Sequence, residues 1–121
     1  MDWNFSDDRP IWQQIVEQLT LRILKGEYPP GERLPGVREL AAQAGVNPNT
    51  MQRAMAQLEA DGLAVGSRTA GRTVTQDVSV IEAAAKARAR AAVVECLKIL
   101  GELGYSAEDA LTFVKEELKH E

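Results

Sequence analysis

The sequence predicts a mainly α-helical chain with one small β-hairpin, on three observations. Between residues 36 and 60, in GVRELAAQAGVNPNTMQRAMAQLEA, two helical patterns meet at a sharp turn marked by Gly45 and Asn47-Pro48. After Gly62, two short β-prone runs, Leu63-Ala64-Val65 and Thr73-Val74-Thr75, flank a loop from Gly66 to Arg72. Beyond residue 76 the pattern is helical again, with an alanine-rich stretch from Ala83 to Ala92. Helix, helix, helix and hairpin in this order describe a winged helix-turn-helix, here followed by two C-terminal helices. The expected division is 1–76 for the winged domain, with 1–9 as a mobile N-terminal arm, and 77–121 for a two-helix tail.

Taken in order, the arm carries Trp3 and Phe5, either of which could tether it. Asp8 is the expected N-cap of a first helix over 10–25, with Pro10 in its first turn. Ile11, Ile15, Leu19, Ile23 and Leu24 form its apolar stripe, flanked by Val16 and by Trp12, which is expected in the core. Gly26 ends it. The connector EYPPGERLP is dense in turn formers, and Leu34 is expected to plug the core before Pro35 redirects the chain. A short helix over 37–43 stops at Gly45, a residue suited to a left-handed cap, and Val46 packs beneath the turn. Asn47 then caps a helix whose first position, Pro48, needs no N–H. That helix runs to about Asp61, and the hairpin after it is the wing.

The helix after Asn47 has two unlike faces. Met51, Ala54, Met55 and Leu58 fall at i, i+3, i+4 and i+7, the spacing of a buried stripe. The opposite face carries Asn49, Gln52, Arg53 and Ala56. Asn and Gln can pair bidentately with adenine, and Arg with guanine, so this face suits base edges in a major groove. Arg38, on the preceding helix, suits a phosphate or base contact. Asn47 lies at the mouth of the helix, and Thr50 suits a phosphate contact or a local backbone bond. Arg68 and Arg72, with Gly71 between them, suit a minor groove or phosphates. The expected partner is therefore double-stranded DNA, met by Arg38, Asn47, Asn49, Thr50, Gln52, Arg53, Arg68, Gly71 and Arg72.

Charge constrains how such a chain would bind. The formal net charge is −4, which argues against indiscriminate coating of nucleic acid. The charge is uneven: from Gly62 to Val74 the only charged side chains are the two arginines, whereas after residue 76 six bases against nine acids leave −3. No apolar run approaches the ~20 residues of a membrane span. The acidic start MDWNFSDDRP lacks a signal pattern, and the single Cys96 precludes an intramolecular disulfide. A cytoplasmic location is expected, with no membrane partner. There is no Ser-His-Asp or Cys-His constellation and no phosphate-cradling glycine loop. His120 stands alone, and Glu116 and Glu117 read as a solvated face, so neither catalysis, metal nor cofactor is expected.

From Pro10 to Val74 the chain resembles the DNA-binding domain of the GntR family of bacterial transcription regulators. The resemblance rests on PIWQQIVEQL, on LKGEYPPGERLPGVRELAAQAGVNPNT, on LEADGL and on the RTAGRTV wing. NPNTMQRA and the short tail resemble the YtrA-like subgroup. That likeness implies dimerisation through the two tail helices and control of genes that often encode ABC transporters. Arg38 matches the family's DNA-contacting arginine. Pro48 stands where many relatives carry another arginine, and Gln52 followed by Arg53 fits the YtrA-like pattern. In the wing, Gly71 matches the second of two glycines while Thr69 stands at the first. Gly36 replaces the usual capping serine.

The tail is expected to form one helix over about 77–103, broken at Gly104, and a last helix opened by Ser106 and Asp109 in a capping box. Ile81, Ala85, Ala89, Ala92, Cys96, Ile99 and Leu103 advance by threes and fours along the first, and Leu111, Val114 and Leu118 along the second. One short hairpin cannot bury both stripes, so they are expected to pair two copies of the chain, with Cys96 buried among them. Glu82 and Lys86 are spaced for an i, i+4 pair. The resulting expectation is a dimeric repressor on an inverted repeat. The competing expectation is a winged-helix protein-interaction module without DNA binding. No small-molecule effector is identifiable, because the tail is too short to enclose a ~300 Å³ ligand pocket unless one forms between subunits.

Overall fold

The computed structural model describes residues 3–69 and 71–120. Met1 and Asp2 of the expected arm, Ala70 of the expected wing and Glu121 at the end of the expected tail lie outside them. The chain divides into two compact units, Met1–Ala83 and Ala84–Glu121. The first holds α1 (Ile11–Leu24), α2 (Val37–Ala44), α3 (Pro48–Ala60), β1 (Ala64–Ser67), β2 (Gly71–Val74) and the start of α4 (Val78–Glu102). The second holds the rest of α4 and α5 (Ala107–Leu118). The architecture is the expected one: mainly helical, with one small hairpin.

In the first unit, α1 and α2 both pack on α3. Ile15, Leu19, Leu40, Met51, Ala54 and Leu58 are wholly buried, with Met55 and Val74 nearly so. Each large apolar side chain withdrawn from water in this way contributes about 1.5–3 kcal/mol. Leu34 is buried as expected, at 2% exposure, and Val46 is half-buried beneath the turn. Gly45 ends α2 with φ 71°, ψ 35°, the left-handed conformation in which a side chain is disfavoured. The Val46 N–H then closes the helix end on the Ala41 carbonyl at 3.0 Å. This lock lets two helices meet within three residues.

Two local readings need correction, and the expected tether at Trp3 is present. Along residues 3–9, Gln14, 3% exposed, donates through its amide to the carbonyls of Ser6 and Arg9 at 2.9 and 2.8 Å. Its side-chain oxygen accepts the Ser6 N–H at 2.8 Å, and Trp3 lies against the Arg22 guanidinium, 4.0 Å from ring centroid to carbon. Pro10, not Asp8, is the N-cap of α1, and Asp8 instead accepts the Ser6 hydroxyl. Trp12 is half-buried rather than in the core, since it flanks the inward stripe of α1.

The hairpin is tighter than expected, with Ala64 opposite Val74 and Ser67 opposite Gly71. The connector is more than a turn. Gly31 N–H donates to Val74 O, Val74 N–H to Glu32 O and Leu34 N–H to Arg72 O, each at 2.9 Å, so residues 31–34 form a third edge along β2. The Arg72 carbonyl and both backbone groups of Val74 are thereby paired on the side of β2 away from β1.

Asp77 precedes α4 and accepts the Ser79 amide at 3.0 Å and the Ser79 hydroxyl at 2.5 Å. These bonds, the hydroxyl's above all, hold the Asp77 carboxyl below its ordinary pKa. In the second unit, the expected capping box is present: Ser106 N–H donates to Asp109 at 2.9 Å and Asp109 N–H to Ser106 Oγ at 3.1 Å. Tyr105 meets Phe113 edge to face at 4.9 Å. Among the described residues of this unit only Ala110 is buried. Cys96, expected to be buried, is exposed in the single chain. Alpha-helix α5 is too short, at 12 residues, to cover the apolar side of α4. Glu82 and Lys86 make no ion pair among the described residues.

Candidate nucleic-acid interface

The two faces of α3 separate as their spacing demands. Met51, Ala54, Met55 and Leu58 are buried, while Asn49, Gln52, Arg53 and Ala56 are exposed. Asn47 accepts the Asn49 N–H through Oδ1 at 2.7 Å. Its carbonyl is thus spent on the cap, leaving its amide as donor at the helix mouth, where the dipole favours an anion. Thr50 is half-buried, and Arg38 projects exposed from α2.

The wing places its two arginines differently. Arg68 is exposed just past β1. Arg72 forms an ion pair through Nε with Glu59 of α3, which directs part of its charge toward the recognition helix. Gly66 makes room for this pair. Gly66 lies opposite Arg72 in the ladder, and a Cβ there would come within 3.2 Å of Glu59 Oε1. Gly71 has φ 69°, and a Cβ on it would meet Arg33 Nε at 3.4 Å. Arg33, Glu59 and Gly66 were not among the expected site residues. Partners 13 positions apart in sequence carry no local signal of their pairing.

Because the pair is partly exposed, with side chains at 21% and 37%, its contribution to stability is at most about 1 kcal/mol. Its larger effect is electrostatic. Glu59→Gln is expected to free Arg72 for a phosphate, tighten binding to random duplex and steepen the log K versus log salt slope by about 0.9. Anisotropy titrations at several salt concentrations measure this; an unaltered slope would show that Arg72 does not reach the backbone when released.

Arg53 has a different neighbour. Its guanidinium carbon lies 4.2 Å from the centroid of the Trp12 ring. No cluster of three or more His, Cys, Asp or Glu able to hold a metal occurs among the described residues. Nor is any described helix long and apolar enough to cross a membrane.

The geometry is that of a helix-turn-helix with a wing beside its recognition helix, and residues 11–74, more than half the chain, match the family model described as bacterial regulatory proteins, gntR family. The chain belongs to the GntR family. It is a DNA-binding transcriptional regulator and not an enzyme. The uncharacterized HTH-type transcriptional regulator YhcF of Bacillus subtilis is 33% identical over 115 residues, covering 95% of each chain. The HTH-type transcriptional repressor YtrA of Bacillus subtilis is 40% identical over 68 residues, 56% of this chain and 52% of YtrA. A solved GntR family transcriptional regulator from Listeria monocytogenes matches with a TM-score of 0.86 at 35% identity, over 93% of this chain and 98% of that one. These relatives are consistent with the YtrA-like subgroup.

From Ala85 onward, every residue of the expected pairing stripe is exposed: Ala85, Ala89, Ala92, Cys96, Ile99 and Leu103 on α4, and Leu111, Val114 and Leu118 on α5. Ile81, in the first unit, is half-buried. Val93 and Leu97 were missed by the stripe, yet with Cys96, Ala110, Leu111 and Val114 they line an apolar groove between α4 and α5.

Proposed function

We propose that this GntR-family chain is a dimeric repressor that binds an inverted-repeat operator, in the cytoplasm, and controls a transporter operon of the ABC class. One observation carries the DNA-reading part: the amides of Asn49 and Gln52 and the guanidinium of Arg53 share the exposed face of a helix whose other face is buried. Asn49, Gln52 and Arg53 read bases, Arg38 and Thr50 fix register on phosphates, and Asn47 offers its amide at the helix mouth. Arg68 and the wing backbone at Gly71 supply sequence-independent affinity. The repressor assignment is supported by the likeness to YtrA, and the dimer by the uncovered apolar stripes of α4 and α5.

Arg53→Ala is expected to cost about 1–3 kcal/mol on the preferred sequence and to relax preference at one base pair per half-site. Gel shifts on the promoter of its own operon, with single-base variants at two salt concentrations, measure both effects. An unchanged affinity together with an unchanged preference would refute the role of Arg53. Absence of any shift on that promoter or on selected duplexes would refute operator binding altogether.

A further inference from the structure

We propose that Trp12 is a positioning residue for sequence recognition, holding the Arg53 guanidinium in the orientation in which it meets a base edge. The proposal rests on the reading that Arg53 contacts a base, and it adds a residue from α1 to the determinants of specificity.

Four arginines, Arg9, Arg22, Arg53 and Arg72, rest against a carboxylate or an aromatic ring, and the way each is held separates Arg53 from the other three. Arg9 and Arg72 are ion-paired with Glu17 and Glu59, and each pair uses N–H donors that would otherwise be available to a ligand. Arg22 lies over Trp3 but is only 3% exposed, so nothing outside the fold can reach it. Arg53 alone of these combines exposure with an aromatic support: its guanidinium carbon is 4.2 Å from the Trp12 centroid, and no described side chain takes its hydrogen bonds. A cation held against an aromatic ring is attracted by the ring's quadrupole. That attraction acts through the π-face and consumes none of the five donors that lie in the guanidinium plane. Arg53 is therefore restrained and still fully able to donate.

The support is itself fixed. Trp12 is half-buried on α1, whose neighbouring Ile15 and Val16 are packed in the core against which α3 rests. A long arginine side chain ordered before DNA arrives loses less conformational freedom on binding than a free one. It also arrives in one geometry, which is what bidentate recognition of guanine requires. Gln52, its neighbour on the same face, has no such support among the described residues.

The experiment uses the full chain and an operator selected from random duplexes by the unaltered protein. Dissociation constants are measured for that operator and for every single-base-pair variant of it. Proteins compared are the unaltered chain, Trp12→Phe, Trp12→Met, Arg53→Ala and the Trp12→Met/Arg53→Ala double variant. Arg53→Ala should flatten the preference at one base pair of each half-site. Trp12→Met, which fills space without a π-face, should lower the preference at that same base pair about tenfold, and Trp12→Phe by less than about threefold because a ring remains. Other positions and the salt slope should not move, and Trp12→Met should add nothing once Arg53 is absent. A destabilised fold would weaken all duplexes alike and would not single out one base pair.

If Trp12→Met keeps the full preference at the position that Arg53→Ala flattens, the positioning role is overturned while base reading by Arg53 stands. If Arg53→Ala flattens no position, base reading fails and the role of Trp12 fails with it. Should Trp12→Met not fold, the Trp3→Phe chain decides, because Trp12 is then the only indole. Arg53→Ala in that background is expected to shift its emission in the free protein; an identical spectrum overturns the contact on which the proposal stands.

Discussion

Val114→Glu is expected to separate the subunits and to lower affinity for a full inverted repeat by about 100- to 10,000-fold, while leaving the weaker binding to a half-site almost unchanged. Val114 is 51% exposed in the single chain, so a carboxylate there costs the subunit fold little. In a dimer closed over the α4–α5 grooves, the same carboxylate would lose its water among apolar side chains. The flanking stripe residues Leu111 and Leu118 are each 62% exposed. Val114, like Cys96 and Ala110, lines two apolar grooves of the hairpin, so a charge there meets apolar surface on both sides. Two recognition helices joined in one particle bind the second half-site intramolecularly, and that gain disappears when the particle splits. Sedimentation gives the oligomeric state and gel shifts on full and half operators give the affinities. A Val114→Glu protein that remains dimeric would place the interface elsewhere on the chain.

The parts of this molecule that were legible in its sequence are those decided by neighbours within a few residues. Gly45, Asn47 and Pro48 specify a stop and a start that need no tertiary information, and the methionine stripe fixes which side of α3 turns inward. Ser106 and Asp109 mark the start of α5 for the same reason. What could not be read depends on distant partners. The arm is held by Gln14, a polar residue whose burial no periodicity predicts. The third edge along β2 is made by backbone groups of Gly31, Glu32 and Leu34, and backbone pairing leaves no residue-type signature in a connector rich in proline and glycine. Arg72 was legible as a wing cation, but its charge belongs to a pair with Glu59 that only the folded hairpin assembles. Along α4 the alanine-rich sequence is apolar on several sides. Its groove-lining residues Val93 and Leu97 are chosen by where α5 returns, not by a stripe visible beforehand.

Leu58→Ala is expected to cost about 2–5 kcal/mol of stability, the range for truncating a buried leucine whose surroundings relax only partly. Leu58 is wholly buried in the last turn of α3, and its carbonyl accepts the Leu63 N–H at 3.0 Å where the helix gives way to the wing. Against a total of about 5–15 kcal/mol for an ordinary domain, such a loss approaches the whole margin. For a unit of this size each kcal/mol moves the melting midpoint by about 4–8 °C, so the variant should melt roughly 8–40 °C lower. Comparison must be made at one protein concentration, since a dimer's midpoint depends on it. The change touches no outward residue of α3, and weakened operator binding at temperatures where the variant is folded would mean that the wing has shifted against the recognition helix. A loss below about 1 kcal/mol would show that the site collapses around the smaller side chain. In that case the orientation of Gln52 and Arg53 would rest on Met51 and Met55 rather than on the junction at Leu58.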